Sequence, residues 1–164
     1  MVHNKKSNAK GFTIVELLIV IVVIGILAAI TIVSYNGITA RANTSSAQAA
    51  ANTAAKKAEA YNADGNNRYT IAGTELTGAA STTTYQLTGV SFSAASPFTT
   101  SNLPASPSVL NYWKCGSGTP ANAAAIIAGN VVGNRFGYWN YQTNAVVFVD
   151  AGTVSGTGIV CFQA

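Results

Sequence analysis

The chain has 164 residues, enough for one domain and an appendage. Charged residues are only 9% and apolar ones 49%, a balance skewed by one long apolar stretch rather than spread along the chain. The formal charge of +4 rests on nine basic and five acidic side chains, and no basic cluster marks a nucleic-acid surface.

The chain opens with a short basic leader carrying Lys5, Lys6 and Lys10. From Phe12 to Val33 the sequence is apolar, with Glu16 its single charge. About 22 residues at ~1.5 Å each make roughly 33 Å of helix, enough to cross a hydrocarbon core of ~30 Å. The lysines before it fit the positive-inside rule, which puts everything after the helix outside the cytoplasm. Glu16 sits near the helix end, where a carboxylate costs less than at mid-membrane and where the helix dipole favours it.

The stretch Gly11-Phe12-Thr13-Ile14-Val15-Glu16, after a basic leader and before an unbroken apolar helix, resembles the class III signal of type IV pilins and pseudopilins. The resemblance covers roughly residues 5 to 40; beyond them only the general layout matches. It implies that a membrane-embedded prepilin peptidase cuts between Gly11 and Phe12 and then N-methylates the Phe12 amine. Glu16 becomes the fifth residue of the processed chain, the family's assembly glutamate, with the amine of a neighbouring copy's Phe12 as its partner. The implied partners are other copies of the chain, minor pilins, the peptidase, an assembly ATPase with its membrane platform, and membrane lipid before assembly. Val33 stands where many members carry proline, so no proline kink is expected there. A secretory signal is the competing reading, with Ala40-Arg41-Ala42 as a small-x-small site. The apolar run is too long for an h-region of ~7–15 residues, and that site lies well beyond its end.

The expected segments are a removable leader, 1–11, a membrane-embedded half-helix, 12–35, an exported half-helix, 36–63, and a head of loops and sheet, 64–164. Alanines crowd Thr39 to Asn62, and alanine has the best helix propensity. The helix therefore continues, with a surface small enough for close approach to a sheet. Lys56 and Glu59, three apart, are placed to pair on its exposed face. The helix is expected to stop at Asn62-Ala63-Asp64-Gly65.

Past the helix, Tyr69-Thr70-Ile71 reads as a short extended piece. Thr82 to Phe92 reads as a bulged strand or a loop, and Pro97, Pro104 and Pro107 keep 93–107 irregular. The sheet is expected in 108–162. Val109 to Lys114 is strand-like, and Ala123 to Ala128 fits either strand or short helix. Arg135–Tyr141 and Ala145–Val149 form a hairpin around Gln142-Thr143-Asn144. Ile159–Phe162 closes the sheet, and the Pro-free run Val146–Val149 suggests a central strand. The predicted fold class is α+β: a long N-terminal helix, transmembrane in its first half, packed on a small antiparallel C-terminal sheet.

Cys115 and Cys161 fall in the exported part, where disulfides persist. Closing that loop would gain roughly 4 kcal/mol; two buried free thiols are the alternative. In the pilin family a C-terminal disulfide often encloses a variable region, and this pair resembles it. No catalytic residue, metal site or cofactor is expected. His3, the single histidine, lies in the leader, and no nucleophile-elbow, zincin, Walker or dinucleotide fingerprint is present. Among Tyr112, Trp113, Tyr138, Trp139 and Tyr141, strand alternation sends about half to the core, against an exposed adhesive surface as the sharper reading. Ser81 to Thr84 could accept O-linked sugar, with an ordinary polar loop as the plainer reading.

The resulting expectation is a structural subunit of a type IV pilus-like filament, at first a single-pass cytoplasmic membrane protein and then part of a cell-surface fibre. The alternatives are a pseudopilin of a type II secretion or competence system, or a membrane-anchored extracellular binding protein.

Overall fold

The computed structural model describes residues 11–77, 85–93 and 97–164. The leader lysines, His3 and the Ser81–Thr84 sugar-acceptor stretch lie outside the described residues. The chain divides into two compact units, one ending at Ile38 and the other comprising Thr39–Ala164.

One α-helix, α1 (Ile14–Tyr61), runs unbroken through Gly25 and Val33. In the second unit it buries Ala47, Ala51, Ala54, Ala55 and Ala58. Spacings of four, three, one and three place these on one face. Alanine supplies little volume, so aromatic side chains from the sheet, Tyr112, Phe136 and Tyr138, fill the space against it. Leu76, Tyr85, Leu87 and Leu110 complete this core. The helix ends at the expected turn, a π-helical turn over Asn62–Asn66, and Asn67 follows with φ 48°. After it come a four-residue helix, α2 (Thr74–Thr77), and a short strand, β1 (Ser91–Ser93).

The remaining strands are β2 (Val109–Ser117), β3 (Val131–Asn140), β4 (Ala145–Gly152) and β5 (Ile159–Gln163). They form one five-stranded sheet ordered β1-β2-β3-β4, with β5 also paired to β2. The expected sheet was wholly antiparallel, but β1 pairs parallel to β2. Residues 94–108 join them, longer than the dozen or so residues a parallel return requires. The two edge partners share β2: β1 takes Val109 to Asn111 and β5 takes Trp113 to Ser117.

Three local expectations need correction, and the extended piece at 69–71 gains its partners. Val146–Val149 lies in an edge strand, β4, not a central one. Its run is apolar because Val147 and Val149 pack on the core while Val146 and Phe148 line the opposite face. Tyr69-Thr70-Ile71 forms no strand. Thr70 is buried and bonded through its N–H and hydroxyl to Asn134 Oδ1, at 3.2 and 2.7 Å. Glu59 does not reach for Lys56; it accepts from the Tyr69 hydroxyl (2.6 Å) and the Gly152 N–H (2.7 Å), tying α1 to the end of β4. The hairpin turn is Tyr141–Asn144, one residue longer than expected, because Asn140 Oδ1 accepts from the N–H groups of Gln142 (2.9 Å) and Thr143 (3.1 Å). Ala123–Ala125 resolves to a short 3-10 helix capped by the Asn122 side chain. Cys115 and Cys161 are direct cross-strand partners on β2 and β5 and are joined by a disulfide.

Candidate functional site

In the first unit the helix has no polar face from Ile14 to Val33. Every large apolar side chain from Phe12 to Val33 is exposed, from 86% at Phe12 and Ile14 to 48% at Val23. A helix resting on a protein core shows an apolar stripe; one apolar all round calls for an apolar medium on every side. Lipid supplies that, and so do other helices of the same kind. By length and composition this helix can cross a membrane.

The start of the helix is built by two side chains. The Glu16 N–H donates to Thr13 Oγ1 at 3.2 Å. In return the Thr13 N–H and hydroxyl donate to Glu16 Oε2 at 2.8 and 2.7 Å. This is a reciprocal capping box, which satisfies donors that a helix start leaves open and holds the carboxylate against the positive end of the helix dipole. The Thr-x-x-Glu spacing is a readable signal for it, and sequence reasoning passed over Thr13 in favour of the glutamate alone. Gly11 and Phe12 precede the helix and are exposed. Their peptide bond therefore lies in non-helical backbone. No cation pairs with Glu16 among the described residues.

The other carboxylates are committed to structure. Glu75 pairs with Arg68 (2.8 Å) and also accepts from the Ile71 N–H (2.6 Å). Burial pushes its carboxyl up, but these hydrogen bonds and the Arg68 charge leave it below its ordinary value of 4.5. Asp64 accepts from the Tyr85 hydroxyl, and Asp150 is forked by Arg135 at 2.8 and 3.2 Å. Glu59 bonds Tyr69, whose hydroxyl is pushed up to about 12 by burial and by that bond. Among the described residues no group of three or more His, Cys, Asp or Glu is placed to hold a metal ion. Of the five aromatic residues weighed as a surface, Tyr112, Tyr138 and Trp139 are buried, while Trp113 and Tyr141 keep partial exposure.

Residues 6–32 match the family model described as the prokaryotic N-terminal methylation motif. Over 63 residues the chain is 51% identical to the type IV wide pilus major component PilA4 of Thermus thermophilus, a match covering 38% of this chain and 47% of that protein. The chain thus spans about half the length of that curated relative. No solved structure matches it significantly.

Proposed function

We propose that this chain, which belongs to the type IV pilin and pseudopilin family, is a structural filament subunit that polymerises through its apolar N-terminal helix. The observation that carries this reading is the helix apolar on every face behind a methylation-motif signal. Lipid satisfies such a surface in the monomer, and neighbouring helices satisfy it in a fibre. The exchange has little net hydrophobic gain, so close packing and electrostatic pairing must select the assembled state.

A prepilin peptidase cleaves the Gly11–Phe12 bond and methylates the Phe12 amine. Cleavage removes Lys5, Lys6 and Lys10 and leaves six basic and five acidic side chains. It also creates a cationic amine four residues from Glu16. Glu16 then guides docking by pairing with the Phe12 amine of a neighbouring copy. An assembly ATPase and membrane platform extract the subunit, and minor pilins join the same helical core.

The first test is the intact mass of the chain from sheared surface material and from membranes. A mass starting at methylated Phe12 in the sheared fraction is expected. The same mass in membranes alone would replace the filament reading with a pseudopilin or an anchored protein. A start after Ala42 would overturn the reading of Glu16 altogether. The Glu16→Ala variant is expected to be processed and inserted normally but depleted from sheared filaments; normal incorporation would remove its docking role.

A further inference from the structure

The sheet face opposite α1 carries an ordered group of side chains that the filament reading does not use. In one register row Trp113 on β2 lies opposite Arg135 on β3, and Arg135 lies opposite Asp150 on β4. In the next row Gly137 lies opposite Phe148. A Cβ on Gly137 would come within 2.7 Å of Trp113 Cζ3, so the missing side chain is what lets the indole lie across β3. The indole meets Phe148 edge to face, ring centres 5.2 Å apart and planes at 79°. The Arg135 guanidinium stacks over the Phe148 ring at 5.2 Å. Phe148 is 44% exposed, and Trp113 keeps partial exposure.

We propose that this surface is a binding site for a neutral saccharide chain, with Trp113 as the stacking ring, Phe148 bracing it edge to face, and the Arg135–Asp150 pair as the hydroxyl-reading edge. Pyranose rings present C–H faces that pack on aromatic rings and equatorial hydroxyls that need both donors and acceptors. The ion pair offers both. Arg135 uses Nε and Nη2 on Asp150, so Nη1 remains as a donor, and each Asp150 oxygen accepts one bond from Arg135 and has capacity for another. The side chains are fixed before a ligand arrives, so little ordering cost attaches to binding. Charge decides against a polyanion: Asp150 cancels Arg135 in the same row, which removes the phosphate-tracking field that single-stranded nucleic acid requires. The site does not depend on polymerisation and stands or falls apart from it.

The chain has two tryptophans, so its indole N–H spectrum is a two-signal assay. Trp113 reports the site and Trp139, 2% exposed, reports the interior. The full-length oxidised chain, in micelles of a detergent without a sugar headgroup, is titrated with cellohexaose. A saturable shift of the Trp113 signal with Trp139 unmoved is expected. Gly137→Ala keeps every contacting side chain but displaces the indole, and lowers affinity by about tenfold or more, the scale of losing one ring stack. Should that variant fail to fold by near-UV circular dichroism, Trp113→Leu, read through Arg135 side-chain shifts, takes its place with the same expected loss. No saturable shift at the solubility limit of cellohexaose, or unchanged affinity in the variants, would overturn the proposal. So would a salt-dependent Trp113 shift with an oligothymidylate in place of the saccharide.

Discussion

The buried polar knot around Thr70 should be the most sensitive point of the second unit, and its members should differ sharply in cost. The Tyr112 hydroxyl donates to the Thr70 carbonyl at 2.6 Å and accepts from Asn134 Nδ2 at 2.9 Å. In Tyr112→Phe the Thr70 carbonyl keeps Asn134 Nδ2 as its donor at 2.8 Å, but the second N–H of that buried amide loses its acceptor. The Thr70 hydroxyl also keeps Asn134 Oδ1 at 2.7 Å. The cost is therefore that of one unpaired N–H in an otherwise satisfied knot with no lost volume, about 1.5 kcal/mol. Asn134→Ala is different. The buried Thr70 N–H loses Asn134 Oδ1, its partner at 3.2 Å, which alone costs about 1–3 kcal/mol. The amide also leaves a hole in a packed interior, so the total reaches about 3–4 kcal/mol. Urea unfolding of the full-length oxidised chain in micelles, followed by near-UV circular dichroism, separates the two. With a slope of ~1.5 kcal/mol per molar, the midpoint falls by roughly 1 M for Tyr112→Phe and by about 2 M or more for Asn134→Ala. Equal midpoints, or a larger loss for Tyr112→Phe, would refute the claim that satisfaction of partners sets the cost.

Two further perturbations test the fold by independent routes. Gly152 has φ +72°, and a Cβ there would lie 2.4 Å from Tyr69 Cζ and 2.6 Å from the Val132 carbonyl oxygen, so Gly152→Ala should cost about 3 kcal/mol or more in the same urea assay. Gly89 has φ +75° but open space around it, so Gly89→Ala should cost only the backbone strain, about 1 kcal/mol. Glu75 supplies the pH dependence. Its folded value is depressed below 4.5, so its contribution is fully present above the unfolded value and is lost as pH falls through the lower folded value. The midpoint of Glu75→Gln should therefore fall less steeply than that of the parent chain below pH 4.5, and parallel curves would rule the linkage out.

What was legible in the sequence was whatever is written locally. The apolar run, the alanine stripe and the Asn62–Gly65 stop fix α1, because periodicity and propensity act over a few residues. The hairpin of β3 and β4 was legible for the same reason, and only the Asn140 side chain lengthened its turn. What was not legible depends on partners far along the chain. Thr70 reads only as part of a short extended piece, and nothing near it shows that Asn134 and Tyr112, 64 and 42 residues away, capture its polar groups. Glu59 reads as half of a helix-surface pair until Gly152, 93 residues on, presents an N–H to it. Val146–Val149 reads as central because an edge strand that carries apolar side chains on both faces has the same apolar run. The start of the helix marks the boundary between these cases. Glu16 was found from its anomalous charge, and Thr13, three residues before it, was overlooked although their reciprocal bonds are as local as any in the chain. An isolated charge in an apolar run implies a distant partner, yet here the first partner is the adjacent turn. A docking role for Glu16 must therefore compete with Thr13. The Phe12 amine of a neighbour has to offer the carboxylate more than the two hydrogen bonds it already accepts, and a cation in a medium without water can do so.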